Sequence, residues 1–381
     1  MRKEQLLEKA LCCNRCGTCR GVSQDAVPDI AFATQCPCGM TLYGAYEPSG
    51  LMYLARGIAQ GDLEWNEDLA KVLYSCTMCG YCEDLCQRGY RHVPAIEILE
   101  ELRRIVPEKL KPKHIRQAAS SLNIAKTQKL GLLAQYGVAD VVGENKAGAV
   151  LFGDPVLLAS SAKVKEIGFI IEKSGKKLGC FMSEPLPPVS AALINGGCEQ
   201  ELAEAMSTID ERLAAHGVQK VYVYHPESLS VLKRLSTSGV EFVSIVQLYN
   251  EVLKKKKAKK IKLSATYQDP CHLGRYAGEY TAPREVLKRL GVEVKEMWRR
   301  GRDSLCCGAG GGVLADNPAL AKQYAANRWH EAKATGAGVL ITACPSCTAN
   351  LSGTKPKGFK VVELSTLVAQ AYGYGGKEAG K

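Results

Sequence analysis

The stretch SLCCGAGGGV, residues 304–313, places Cys306 and Cys307 side by side ahead of a backbone that is mostly glycine. Glycine lacks the Cβ that bars left-handed dihedrals, so such a segment can wrap around a bulky group or let one approach closely. Three readings fit it: a metal cluster held by the thiols, a phosphate held by backbone amides, or a tight strand-to-helix turn with two buried thiols. The phosphate reading fails, because the stretch has neither the Lys-Ser/Thr of GxxxxGK[ST] nor the GxGxxG spacing of dinucleotide sites. The rest of the chain has to decide between the other two.

At 381 residues the chain has room for two or three domains, each with its own core. Apolar content of 46% and charged content of 23% are those of an ordinary soluble globular protein, but seventeen cysteines are not. The opening MRKEQLLEKALCC has no apolar h-region, so no secretory leader is expected. An odd cysteine count in short-spaced groups points away from a disulfide framework and toward reduced, mostly ligating thiols in a cytoplasmic setting. With no run of 18 apolar residues, no transmembrane segment is expected, and association with the inner face of a membrane would come through a partner. Much of the net charge of +11 lies in KKKKAKKIK, Lys254–Lys262, which lacks interleaved aromatics and reads as a solvated linker. Nucleic-acid binding is not expected; an acidic protein partner suits the basic balance better.

Composition divides the chain. Residues 1–106 hold ten cysteines and read as a helical module: Asn66 can cap EDLAKVLY, and PAIEILEELRRI has apolar residues at helical period with Pro94 in its first turn. Residues 107–145 hold no cysteine and read as a helical connector. From 146 onward short β-branched runs such as VYVY (221–224) and GVLITA (338–343) alternate with helical stretches, the pattern of a parallel α/β sheet. This part reads as a duplication. FGDPVLL at 152 parallels YQDPCHL at 267, each leading to a helix closed by Gly168 or Gly291, and GVQKVYVYHPES (217–228) parallels GAGVLITACPSC (336–347). Residues 146–253 and 263–381 are then two halves joined by the lysine linker, 254–262. His225 and Ser228 fall opposite Cys344 and Cys347, and FMS (181–183) opposite Cys306-Cys307-Gly308, so the first half lacks the ligand-type cysteines of the second.

The helical module carries Cys13-x2-Cys16-x2-Cys19 with a distant Cys36-Pro37, and Cys76-x2-Cys79-x2-Cys82-x3-Cys86. Three thiolates so spaced share one tight loop and can hold three corners of a cubane; in two-cluster ferredoxins the fourth cysteine of each run serves the other cluster. The expected sets are Cys13, Cys16, Cys19 and Cys86 for one 4Fe–4S cluster and Cys76, Cys79, Cys82 and Cys36 for the other. Zinc ribbons also use Cys-x2-Cys pairs, but a zinc site has no use for a triple run followed by Cys-Pro. Two departures mark the fourth ligands: residues 20–35 intervene before Cys36, where three residues are usual, and Gln87 replaces the proline after Cys86.

The five remaining short-spaced cysteines form Cys271-x34-Cys306-Cys307-x36-Cys344-x2-Cys347. With DPCHLGR, CCGAGGG and ACPSC around them, they resemble the cysteine-rich CCG domain found in the D subunits of heterodisulfide reductases and in the glycolate-oxidase iron–sulfur subunit family. LYSCTMCGYCEDLC resembles the N-terminal ferredoxin module of the same families, so the resemblance spans nearly the whole chain. It implies an α+β multidomain protein: a helical two-cluster ferredoxin domain followed by a duplicated parallel-sheet CCG domain. It further implies a third iron–sulfur cluster on Cys271, Cys306, Cys307, Cys344 and Cys347, of unusual non-cubane form in some members. The glycines would let the backbone crowd against that cluster.

In the family, heterodisulfide-cleaving members carry cysteine motifs in both halves; here only the second half has one. The chain therefore looks more like an electron-transfer subunit that works with a flavoprotein and other redox subunits or a quinone-linked acceptor than a catalyst of disulfide reduction at Cys306/Cys307. No flavin or nicotinamide is expected on this chain. Cys12 and Cys38 stand where either could substitute in the coordination but are expected as free buried thiols, His272 beside Cys271 is expected as structural, and a zinc site on His225, Cys198 and Cys180 has little support in the spacing.

Overall fold

The computed structural model describes residues 1–21, 27–88, 91–117, 124–142 and 148–375; residues 118–123 and 143–145 of the expected connector lie outside the described residues. The N-terminal part is helical, with its main helices at Lys3–Leu11, Pro48–Gln60, Glu67–Tyr74, Tyr81–Gln87 and Ala95–Ile105. Asn66 caps Glu67–Tyr74, its side-chain oxygen accepting from the Leu69 amide at 2.9 Å. Pro94 is the N-cap of Ala95–Ile105 and lies one place ahead of the first helical turn, where it had been expected. That helix buries Ile96, Ile98, Leu99 and Leu102 on the face its 3.6-residue period dictates.

The remainder forms two sheets in which every strand pair is parallel. The first contains β1 (Ala139–Asp140), β2 (Ala149–Leu151), β3 (Gly179–Cys180), β4 (Lys220–Val223) and β5 (Glu241–Ser244), in the order β1-β3-β2-β4-β5. The second contains β6 (Leu263–Gln268), β7 (Val292–Val294), β8 (Val339–Thr342) and β9 (Lys360–Glu363), in the order β7-β6-β8-β9. Leaving aside the edge strand β1, which comes from the stretch read as a connector, the two sheets share one winding.

One detail of the repeat differs from expectation. Gly291 closes its helix in the left-handed conformation (φ 81°), but Gly168 lies inside helix Ser161–Ser174, which Gly175 closes. Gly168 has a packing reason: a Cβ there would come within 2.3 Å of the Tyr136 ring.

The largest core runs through both sheets, from Leu130 and Val150 to Val286, Ile341 and Val368. A second core fills the N-terminal helices but also takes in Val313, Leu320, Ala321 and Tyr324 from the C-terminal half. A third, smaller core surrounds Cys307, Cys344 and Cys347.

Candidate functional site

The two N-terminal triplets have the same backbone. In each, the residue two after the first cysteine and the glycine four after it are left-handed: Arg15 (φ 58°) and Gly17 (φ 79°), Met78 (φ 51°) and Gly80 (φ 75°). A non-glycine residue in that region costs roughly 1–2 kcal/mol, and strain of this kind gathers where a loop is shaped for function. Here it coils each loop around its own sulfurs. One cavity is lined by Cys13, Cys16, Cys19 and Cys86, together with Cys82; a second by Cys36, Cys76, Cys79 and Cys82, together with Cys19 and Cys38. Each expected quartet thus surrounds one cavity, and Cys19 and Cys82 border both. Among the described residues no three His, Cys, Asp or Glu side chains converge closely enough for a single metal ion; the thiols ring spaces instead.

The donor set suits a group that brings positive charge. Burial and the neighbouring Cys13 and Cys36 thiols push Cys19 up to about 12, and burial pushes Cys76 up to about 12 against the pull of Arg103. Left alone such thiols stay protonated, whereas iron would deprotonate them. Donors already point at several sulfurs: the amides of Met78, Val93 and Gly308 reach Cys76, Cys86 and Cys306 at 3.4 Å, and the Thr18 hydroxyl reaches Cys16 at 3.4 Å. Hydrogen bonds to sulfur are one of the levers that set cluster potential. Cys38 is buried and occupied otherwise, donating to the Ser75 carbonyl and accepting from the Tyr324 hydroxyl.

The five C-terminal cysteines lie beyond the carboxyl ends of β6 and β8, where open parallel sheets place their ligands. Cys271 follows β6 through Asp269-Pro270, Cys344 is the N-cap of helix Pro345–Thr354 after β8 with Cys347 in its first turn, and Cys306-Cys307 precede helix Val313–Asp316. Asp269 anchors its turn by pairing with Arg284 at 2.7 Å and accepting from the Gly301 amide at 2.8 Å. Asn350 holds the Cys307 carbonyl at 2.7 Å. The thiols act on one another in sequence: Cys271 and Cys306, Cys306 and Cys307, Cys307 and Cys347, and Cys347 and Cys344 each shift the other's protonation. Cys306 also acts on Cys79 of the second triplet, and Arg275, four residues after Cys271, donates to the Cys79 carbonyl, so the two cysteine groups adjoin.

The glycines of CCGAGGG have a packing task within the protein. A Cβ on Gly310 would come within 2.6 Å of the Thr77 carbonyl oxygen and one on Gly311 within 2.4 Å of that of Cys76, while one on Gly308 would strike Tyr324 and Ala321. Gly310 and Gly311 thus admit the backbone of the second triplet, and Gly308 admits helix Pro318–Ala334. Arg103, 0% exposed, locks this approach by donating to the carbonyls of Gly311, Leu73 and Cys76 at 2.7–2.9 Å. Arg275 and Tyr276 take the Cys79 and Met78 carbonyls at 2.8 and 2.6 Å. The sequence reading missed all three. Arg275 and Tyr276 stand directly after DPCHLG and could have been suspected, but Arg103 looks like any basic residue in the last turn of a helix.

The first half, read as empty, also reaches the site. His225, at the N-terminus of helix Pro226–Leu235, contacts the Ser346 hydroxyl through Nε2 at 3.0 Å, between Cys344 and Cys347. Burial opposes its charge, but the hydrogen bond to Cys344 and the Asp154 and Glu227 carboxylates outweigh this and push it up to about 9. His272 goes the other way: burial, with the charges of His225, Arg275 and Arg234, holds it down to about 3. Its Nδ1 meets the Ser230 hydroxyl at 2.9 Å and its ring stacks on Tyr276. Cys180 is buried in β3 and Cys198 stands at the N-terminus of helix Glu199–Ala215.

Residues 265–352 match the family model described as a cysteine-rich domain, CCG. The chain is 30% identical to the D subunit of a dihydromethanophenazine:CoB–CoM heterodisulfide reductase of Methanosarcina acetivorans, covering 83% of this chain and 81% of that protein. It is 26% identical to the B subunit of a CoM/CoB fumarate reductase of Methanothermobacter marburgensis (79% of this chain, 62% of that one) and 26% identical to an EtfAB:quinone oxidoreductase of Syntrophomonas wolfei (73% and 43%). No helix among the described residues is long and apolar enough to cross a membrane.

Proposed function

The chain belongs to the family of iron–sulfur proteins that includes the D subunits of heterodisulfide reductases, and from that membership we propose that it is an electron-transfer subunit of a multi-subunit oxidoreductase, relaying electrons between a flavoprotein partner and another redox subunit or a quinone-linked acceptor. In this reading residues 1–106 hold two 4Fe–4S clusters, on Cys13, Cys16, Cys19, Cys86 and on Cys76, Cys79, Cys82, Cys36. Residues 263–381 hold a third cluster on Cys271, Cys306, Cys307, Cys344 and Cys347, and residues 146–253 are a half that has lost its ligands. Bound clusters supply one-electron storage. The protein's own part is to fix the thiols, exclude water and keep the centres close together.

The observation that carries the reading is the packing of Gly310 and Gly311 on the Thr77 and Cys76 carbonyls of the second triplet, clamped by Arg103, Arg275 and Tyr276. It brings the second triplet against the five-cysteine site, which suits a relay. Cys306 and Cys307 are 2% and 3% exposed. That favours transfer through the protein over attack on a disulfide substrate at those sulfurs.

Anaerobically isolated protein should contain iron and acid-labile sulfide for three clusters and far less than one zinc per chain. Cys307→Ala should remove one spectroscopic signal and Cys16→Ala a different one. Stoichiometric zinc with little sulfide overturns the cluster reading; turnover of a heterodisulfide by the isolated chain, with no flavoprotein added, overturns the relay.

A further inference from the structure

The duplication gives a ruler for the two Asp-Pro turns, and they are used differently. Asp269 in the second half is neutralised by Arg284. Its counterpart Asp154 is 0% exposed and forms no salt bridge among the described residues; Oδ1 accepts from the Val156 amide at 2.8 Å and Oδ2 has no hydrogen-bond partner. His225 meets the Ser346 hydroxyl through Nε2 at 3.0 Å, in the first turn between Cys344 and Cys347, with Cys344 and the Asp154 carboxylate among the groups that act on it. The chain from Asp154 through His225 to Cys344 therefore crosses from the half without ligands into the half that has them. His225 stands at the repeat position of Cys344 itself.

We infer that His225 is a positioning residue of the five-cysteine site, donating a hydrogen bond to the Cys344 sulfur with Asp154 behind it, so that the first half sets the redox potential of the group the second half binds. The inference rests on the proposed cluster at Cys271, Cys306, Cys307, Cys344 and Cys347. A donor to a ligand sulfur stabilises the extra negative charge of the reduced state and so raises the potential. The loss of the first-half cysteines then leaves a working residue behind: the half no longer binds a cluster but tunes its neighbour's.

The test uses the full chain, purified anaerobically as His225→Leu, His225→Gln and Asp154→Asn. The centre whose signal Cys307→Ala abolishes is titrated potentiometrically and followed by electron paramagnetic resonance. His225→Leu should make reduction of that centre at least tenfold less favourable, about 59 mV for one electron, with the two N-terminal centres unmoved. His225→Gln, whose amide still donates, should recover most of the shift, and Asp154→Asn should move the potential the same way as His225→Leu but less far. An unchanged potential in His225→Leu with iron fully retained overturns the inference, as does a His225→Gln protein displaced as far as the Leu variant. If His225→Leu fails to load, Asp154→Asn decides: a lowered potential supports the inference and an unchanged one overturns it. Iron content and signals unaffected by Cys307→Ala would instead defeat the underlying cluster assignment.

Discussion

Gly311 shows how a single residue ties the two cysteine groups together. Its φ of 61° already excludes most side chains, and its missing Cβ is what lets the Cys76 carbonyl approach. Gly217 shares the dihedral (φ 63°) but has open space around it, so the two positions separate backbone strain from close packing. Gly217→Ala should cost roughly 1–2 kcal/mol, the left-handed penalty alone. Gly311→Ala should cost clearly more in denaturant unfolding of the loaded protein and should weaken the magnetic coupling between the second triplet's centre and the five-cysteine centre. Equal costs and unchanged coupling would show that the loops can part without consequence. The sequence shows that glycine is needed here, but it cannot show what glycine makes room for: the object it admits is 235 positions away, counting from Cys76 to Gly311.

At the scale of elements, the helices and strands follow from local pattern where the pattern is strong. Helix Glu67–Tyr74 begins at its capping residue and runs directly into the second triplet. Asn66→Ala should cost about 1 kcal/mol in stability and release iron from that loop at lower denaturant than from the first; no change would mean that tertiary packing alone holds the helix. The strands at 220–223 and 339–342 were readable as β-branched runs, whereas β1 and β3 have two residues each. Strands so short are fixed by their neighbours in the sheet rather than by their own propensity. The Gly168 discrepancy has the same cause. A glycine near a helix end suggests a stop, but the Tyr136 ring packed against it gives it a place in the middle.

At the scale of the molecule, the core of the N-terminal helices is not closed by those helices alone. Val313, Leu320, Ala321 and Tyr324 complete it, and buried Arg103 needs the Gly311 carbonyl. A fragment of residues 1–106 should therefore fail to unfold cooperatively and should lose iron faster than the full chain, as hydrogen exchange and iron release would measure; a fragment as protected as the parent would contradict this. The lysine run is placed by the same architecture. It precedes β6, whereas Cys271 follows it, so about 20 Å of strand separates that basic surface from the sulfur. What the sequence determined by itself was the family and the plan: thiol spacing marks candidate ligand sets because one short loop can present three sulfurs, and repeated strand–helix signals reveal the duplicated winding. What only the tertiary structure decided was which groups meet: Arg275 with the Cys79 carbonyl, Gly310 and Gly311 with the triplet backbone, Arg103 with the Gly311 carbonyl, and His225 with Ser346. Those contacts join residues more than a hundred positions apart, and local periodicity carries no information about them because packing between layers fixes such distances.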